Sequence, residues 1–394
     1  MALESSKVVT ALRPTPNQVQ NDPRAVLSES EQKTYMEVLD HFTKPGYVLP
    51  GTEKGEFMDV EKFWLSRECI LRFLRATKWK VADAIQRLEA TLKWRREFGI
   101  YDLVTADLVE PEAVTGKEVL FGYDLTGKPA LYMIPSRQNT TEATRQIQYV
   151  FWMLERAINL MEPGVETVAL LINFGDRGKN PSISTSLTVL HILQDHYPER
   201  LGLSLIINVP FLVNAFFKMV MPLVDPITRA KVKFNPQVFK DGLFSEDQVM
   251  KEWWGGEKDF EYKHEDYWKD LVALCETRSK AWEKNWRTLG AKVGESEWAY
   301  KQLSSSPLDT LPEKTKEAAT VTVAEVTPTE SVTASKASDK KIQAEKKEST
   351  VTHAPADVQA TSTTTSSATA TAAGATTGAA GNADADAGGD AGAE

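Results

Sequence analysis

The chain has 394 residues, with 46 Lys and Arg against 55 Asp and Glu, a net charge of −9 and a pI near 5.4. Its length would allow two or three domains, but composition marks one folded body, about residues 28–303, between polar tails. That acidic balance argues against a general nucleic-acid binder, whose footprint is basic, so any affinity for anionic membrane must come from local clusters. Lys78-Trp79-Lys80 and Lys231-Val232-Lys233 are two such clusters, and each taken alone is equally a set of solvated lysines.

Residues 1–30 mix Pro, Asn, Gln and Ser without apolar periodicity and are expected to be disordered. A helical lobe is expected over 31–110. It begins with a weak helical pattern from Glu31 to Phe42. Ser66 then caps a helix carrying Ile70, Leu71, Phe73 and Leu74, and Ala76 to Lys80 forms a break. Val81, Ala84, Ile85, Leu88, Leu92 and Phe98 form one helical stripe that Gly99 stops.

After Pro111 the rhythm changes, and residues 111–270 read as an α/β domain. Glu118–Tyr123 and Ala130–Ile134 are short strands joined by a hairpin-like Asp124-Leu-Thr-Gly127 connection. A helix follows over Thr141–Met161, then a buried strand over Val168–Phe174 and a helix over Ile183–His196. Leu203–Val209 reads as the next strand and Val232–Phe234 as an edge strand. Apolar strands alternating with helices imply a mostly parallel sheet covered on at least one face. A C-terminal helix is expected over 271–303. Residues 304–394 are rich in Thr, Ala, Ser and Gly, lack Trp and Phe, and cannot offset their ordering entropy by burial.

Catalytic machinery is not visible. There is no Gly-x-Gly-x-x-Gly, no phosphate loop and no Gly-x-Ser-x-Gly elbow. His191 and His196 are five apart on their helix and face different directions, which suits a metal pair poorly. Cys69 and Cys275 sit in apolar helical patterns and read as buried free thiols. No signal-peptide pattern and no apolar run of spanning length occurs, so a soluble, cytoplasmic protein is expected, peripheral to membranes and without a cofactor.

The informative stretch runs from His191 to Phe234. Within it Phe211–Met221 is apolar nearly all round, broken by Asn214 and Lys218. Such a helix is either central in a core or faces something apolar that comes and goes. It starts at a strand end, is rich in Phe and Met, and ends at the stiff points Pro222 and Asp225-Pro226. Beside it lie Glu199, in the turn Tyr197-Pro198-Glu199-Arg200, and Lys231, after the turn Asp225-Pro226-Ile227-Thr228. From residue type alone Glu199 is equally a surface ion-pair partner.

The runs LRFLRATKW, YPERLG, IINVPF and DPITRAK, with Trp254-Gly255-Gly256, resemble the CRAL-TRIO lipid-transfer family over about Val60 to Trp268. KWRREFGI and HYPERLG are most similar to its fungal phosphatidylinositol-transfer branch, the yeast members linked to pleiotropic drug resistance. The resemblance implies a helical N-terminal lobe beside a CRAL-TRIO lipid-binding domain. In that domain a sheet and a mobile gate helix, here Phe211 to Met221, enclose an apolar pocket. It maps an inositol head-group site onto Lys78, Glu199, Thr228 and Lys231. Ammonium and hydroxyl donors suit a phosphodiester, and a carboxylate suits vicinal hydroxyls. The gate and pocket residues are Phe211, Phe216, Phe217, Met219, Val220, Met221, Leu131, Val168 and Leu170, with Phe216, Phe217 and Met219 expected to enter a bilayer.

The chain also departs from the family pattern. Many members have two basic residues where Thr77-Lys78 stands. Dual-ligand members carry hydroxyls on the strand matching Val168-Ala169-Leu170 and a tyrosine at Leu131. An apolar wall leaves a choline phosphate unsatisfied, so phosphatidylinositol is the expected ligand and phosphatidylcholine a weak one or none. A sterol would suit that wall better. Transient membrane contact and lipid kinases are the expected partners. A lipid-presenting module for phosphoinositide metabolism is the alternative to bulk transfer.

Overall fold

A computed structural model describes residues 8–10, 26–175, 182–224 and 226–303. The expected disorder of 1–30 and 304–394 falls almost wholly outside these residues, as does the Asp225 hinge position.

The N-terminal helices are α1 (Glu29–Thr43), α2 (Asp59–Trp64), α3 (Arg67–Ala76) and α4 (Val81–Phe98). Ser28 and Glu31 close a capping box on α1. Ser66 accepts from the Cys69 amide to start α3, and Gly99 ends α4 at φ +78°. Tyr35, Val38, Phe42, Ile70, Phe73, Leu74, Leu88 and Leu92 bury one another in a first core. The packing changes hands within α4, since Trp94, Phe98 and Ile100 lie against a second core. Helix α5 (Ala106–Ala113), which the sequence reading did not separate, also belongs to that second core through Val109 and Ala113.

The second core surrounds a five-stranded sheet in the order β1 (Glu118–Tyr123), β2 (Pro129–Met133), β3 (Val168–Asn173), β4 (Leu201–Ile207), β5 (Val232–Phe234). Strands β1 and β2 form an antiparallel hairpin, and the others join in parallel. The parallel crossovers are α6 (Ala143–Asn159), α7 (Ile183–His196), and α8 (Phe211–Val220) with α9 (Pro226–Ala230). All three advance the same way across the sheet, so right-handed connections place them on one face. The Asp-Pro-x-Thr segment read as a turn is thus helical from Pro226, its proline sitting at a helix start, where no amide is needed.

Strand register defines what each face carries. Leu120, Leu131, Leu170, Ser204 and Val232 form one row across the sheet, and Glu118, Met133, Ile172, Ile206 and Phe234 form the next. The opposite face is sealed by the segment after β5. Its Met250 amide donates to the Tyr132 hydroxyl at 3.5 Å, and Trp254 meets the Tyr132 ring edge-on at 6.1 Å. Where that segment crosses β1, a Cβ on Gly122 (φ +72°) would lie 1.9 Å from the Gln248 carbonyl oxygen. Gly122→Ala is therefore expected to lower unfolding free energy by at least about 3 kcal/mol, read from urea denaturation, through left-handed strain plus overpacking. A loss under about 1 kcal/mol would mean the crossing can move away.

A single helix over 271–303 is not what forms. The chain makes α10 (His264–Thr288), turns through Gly290 and Gly294, both at positive φ, and restarts at the Ser296 cap as α11 (Glu297–Gln302). Both cysteines are free and buried. No described helix is long and apolar enough to cross a membrane.

Candidate functional site

The face beneath α6–α9 is incompletely covered. Leu170, Met133, Ile172 and Val232 on the strands are only part-buried, although their neighbours Leu131 and Ile206 are 3% and 1% exposed. Every described apolar side chain of α7, including Val189, Ile192 and Leu193, is likewise part-buried. Apolar side chains of strands and of α7 that remain half open outline a trough. Val168, assigned to its wall, lies instead fully buried at the start of β3. Ser204 stands in the Leu131–Leu170 row, so that row has one hydroxyl that the apolar run of β4 concealed.

Helix α8 is not a core helix. Val213 and Phe217 are part-buried and Val220 is buried. Asn214, Ala215 and Lys218 are exposed, as are Phe211 at 83% and Met219 at 56%. Phe217 turns inward, its ring 5.4 Å from Phe234 and 6.1 Å from Phe174 in edge-on contacts. The outward apolar residues are therefore Phe211 and Met219, while Phe217, expected with Met219 to enter a bilayer from the open gate, faces inward in this structure. The side chain of Phe216 lies outside the described residues. Met221 is part-buried in the turn after α8, where Arg229 of α9 donates to the carbonyls of Val224 at 2.9 Å and Pro222 at 3.3 Å.

Two of the polar candidates stand at the end of the sheet where β3, β4 and β5 begin. Glu199 lies two residues before β4, and its turn is fixed on both sides. Tyr197 donates to Glu155 at 2.8 Å, while Arg200 donates to the Glu166 carbonyl and accepts from the Val168 amide. Lys231 immediately precedes β5. Its carbonyl accepts from the Ser204 amide, and its amide bonds back to Thr228, one helical turn earlier on α9. Lys78 follows α3, whose Arg72 and Arg75 pair with Glu166 just before β3. Residues Cys69, Arg72 and Phe73 of α3 share a cavity of about 10 Å³ with Tyr197, Pro198 and Arg200, the residues flanking Glu199.

Backbone strain marks the same places. Glu199 (φ +58°), Lys78 (+55°) and Trp79 (+61°) are left-handed residues without glycine's freedom. Such residues cost about 1–3 kcal/mol each and persist where surrounding structure over-determines them. The side chains of Glu199, Lys78 and Lys231 make no ion pair among the described residues, so Glu199 does not take up the surface ion pair that its residue type allowed. Nearby, His196 stacks on Trp94 at 4.4 Å and bonds Thr91, and burial pushes its pKa down to about 4. It is a packing histidine. No described group of three His, Cys, Asp or Glu could hold a metal ion.

A half-covered apolar sheet face with an exposed apolar helix at one end of it has the features of a holder of apolar or amphiphilic molecules. The profile of the CRAL/TRIO N-terminal domain matches residues 34–90, and that of the CRAL/TRIO domain matches 113–256. A CRAL-TRIO domain-containing protein of Schizosaccharomyces pombe is 45% identical over 280 residues, which is 70% of this chain but only 27% of that relative's length. The phosphatidylinositol transfer protein PDR17 of Saccharomyces cerevisiae is 39% identical over 296 residues, 69% of this chain and 83% of its own. The crystal structure of Sfh5 superposes with a TM-score of 0.43 at 15% identity, over 65% of this chain and 99% of that one. The chain belongs to the CRAL-TRIO family of lipid-binding and lipid-transfer proteins.

Proposed function

We propose that this protein binds phosphatidylinositol and exchanges it between membranes, with little or no affinity for phosphatidylcholine. What supports the reading is the position of Glu199 and of Thr228–Lys231 just ahead of β4 and β5, strands of a sheet whose apolar face is half open, with Lys78 following α3. Ammonium groups and a hydroxyl suit the phosphodiester, and the Glu199 carboxylate suits the inositol hydroxyls. The name of the 39% identical relative points the same way. Ser204 is a lone hydroxyl in a leucine-rich row, too little to satisfy a buried choline phosphate.

Release of such a lipid into water would be prohibitive, because two acyl chains at about 0.8 kcal/mol per methylene amount to roughly 20 kcal/mol. Exchange therefore takes place against a bilayer, with Phe211 and Met219 of α8 meeting it first. Phe211→Asp changes an exposed side chain, so stability should stay within about 0.5 kcal/mol. Sedimentation with phosphatidylcholine–phosphatidylinositol vesicles and the transfer rate should both fall about tenfold or more. Equal vesicle binding by the variant would remove α8 from the membrane face. The whole reading rests on the lipid that purifies with the protein. Native mass spectrometry finding no phosphoinositide, together with no transfer between vesicles, would reject it.

A further inference from the structure

Glu118 has no place in the head-group site, yet it stands on the same face of the sheet. Register puts it in the row Glu118–Met133–Ile172–Ile206–Phe234, which ends beneath Phe217 of α8. It lies at the opposite edge from Glu199 and Lys231, because β1 runs antiparallel and begins where β2 and β3 end. The residue is 6% exposed, and its Oε2 is fully buried without a hydrogen-bond partner among the described residues.

Neighbouring charges do not satisfy it. The Lys117 ammonium is held by Glu112 of α5 and by Asn139 at 3.2 Å. Tyr149 of α6 spends its hydroxyl on the Glu118 carbonyl at 3.3 Å. Burial pushes the carboxyl up to about 8, with Lys117 opposing and Glu112 reinforcing the shift. At neutral pH the group thus keeps its proton and can both donate and accept. Its cross-strand neighbour Met133, about 4.8 Å away at strand spacing, is only part-buried, as is Ile172 beyond it. The row therefore opens into the trough one strand from the carboxyl. Unpaired buried polar atoms are few in native proteins and each needs a reason.

We propose that Glu118 hydrogen-bonds the hydroxyl of an uncharged lipid, a sterol-like alcohol, lying in the trough with its polar end opposite the inositol site. An anionic phosphate is disfavoured here, since among the described residues the cation nearest the carboxyl, Lys117, is already held by Glu112. The inference rests on the trough being the lipid pocket. A site built around a hydroxyl loses a hydrogen bond when the hydroxyl is missing, which predicts discrimination between otherwise identical hydrocarbons.

The test incubates the full-length protein with phosphatidylcholine vesicles containing cholesterol, its hydroxyl-free analogue cholestane, or phosphatidylinositol, and identifies bound lipid by native mass spectrometry. Wild type should take up cholesterol at least about tenfold in preference to cholestane. Glu118→Gln should keep the preference and Glu118→Leu should bring the ratio near one. In wild-type protein, difference infrared spectra should show the protonated-carboxyl band, identified by its absence in Glu118→Gln, shifting on loading with cholesterol and not with cholestane. That measurement decides the matter even if Glu118→Leu does not fold. Wild type that takes up phosphatidylinositol without distinguishing the two steroids overturns the role of Glu118 alone, as does an unshifted carboxyl band. Wild type that takes up no lipid overturns the pocket reading and this inference with it.

Discussion

Alanine at Glu199 or at Lys231 should reduce phosphatidylinositol transfer between vesicles by about tenfold to a hundredfold each, with the folded state intact. The magnitude follows from hydrogen bonds to charged groups, worth about 1.5–3 kcal/mol when one partner is removed. Intact folding follows from position. Both side chains are part-buried at strand starts and carry no ion pair among the described residues, so their loss leaves no described partner stranded. Glu199 allows a sharper control because its backbone is left-handed at φ +58°. Glu199→Gly relieves that strain and should be more stable than Glu199→Ala by about 1 kcal/mol. If the carboxylate binds inositol, both variants fail in transfer. Recovery of transfer by the glycine variant would mean that the turn matters and the carboxylate does not. Lys231→Arg keeps the charge but replaces a compact ammonium with a planar fork, so partial transfer is expected. Full transfer by Lys231→Ala would remove the phosphate assignment.

Local signals were legible wherever one segment carries its own reason. The Ser66 cap, the Gly99 stop and the apolar run at Val168 are short-range features, and each appears where periodicity placed it. The character of α8 was only half legible. Its composition allowed a core helix or a covering one, and the choice depends on Phe174 and Phe234, which are distant in sequence. The head-group candidates came through family motifs, and spacing alone could not have gathered them, since Lys78 and Glu199 lie on different lobes. Glu118 and Ser204 were missed for a common reason. Each is one polar residue inside an otherwise apolar strand, and only cross-strand register shows which face it shares. Packing passes to the second core at Trp94, ahead of the change in rhythm at Pro111, because α4 is long enough to reach both cores.

Arg72→Ala should be the most destabilising single change in the molecule's buried charges, by about 3–5 kcal/mol at neutral pH in urea denaturation. Arg72 is 3% exposed and bridges Glu166 at 3.3 Å and Glu297 at 3.1 Å, joining α3 to the start of β3 and to α11. Ser66 donates to Glu297 at 2.6 Å, Lys301 lies 3.5 Å from it, and Arg75 pairs with Glu166 at 2.6 Å. Removing the arginine leaves two carboxylates short of a cation in a dry setting, which costs more than the pairs themselves contributed. The sign of the pH dependence follows from Glu297. Although burial opposes it, Arg72, Lys301 and Arg200 hold its carboxyl well below the ordinary 4.5. A lowered folded pKa gives stability that is present above about 4.5 and is lost as pH falls through the folded value. Glu68 runs the other way, raised by burial and by the Glu297 charge, so its contribution fades as pH rises instead. Without Arg72 the Glu297 carboxyl rises, so the gap between wild type and Arg72→Ala should narrow below pH 4.5. The double variant Arg72→Ala with Glu297→Ala should cost clearly less than the two single losses added, because each removes the other's stranded charge. Additive losses, or a gap that does not change with pH, would mean that the three elements are held together by apolar packing and that this charge network is incidental. Because Lys78 follows α3 directly, a genuine network together with the proposed head-group role of Lys78 predicts that Arg72→Ala loses phosphatidylinositol transfer at temperatures where it is still folded.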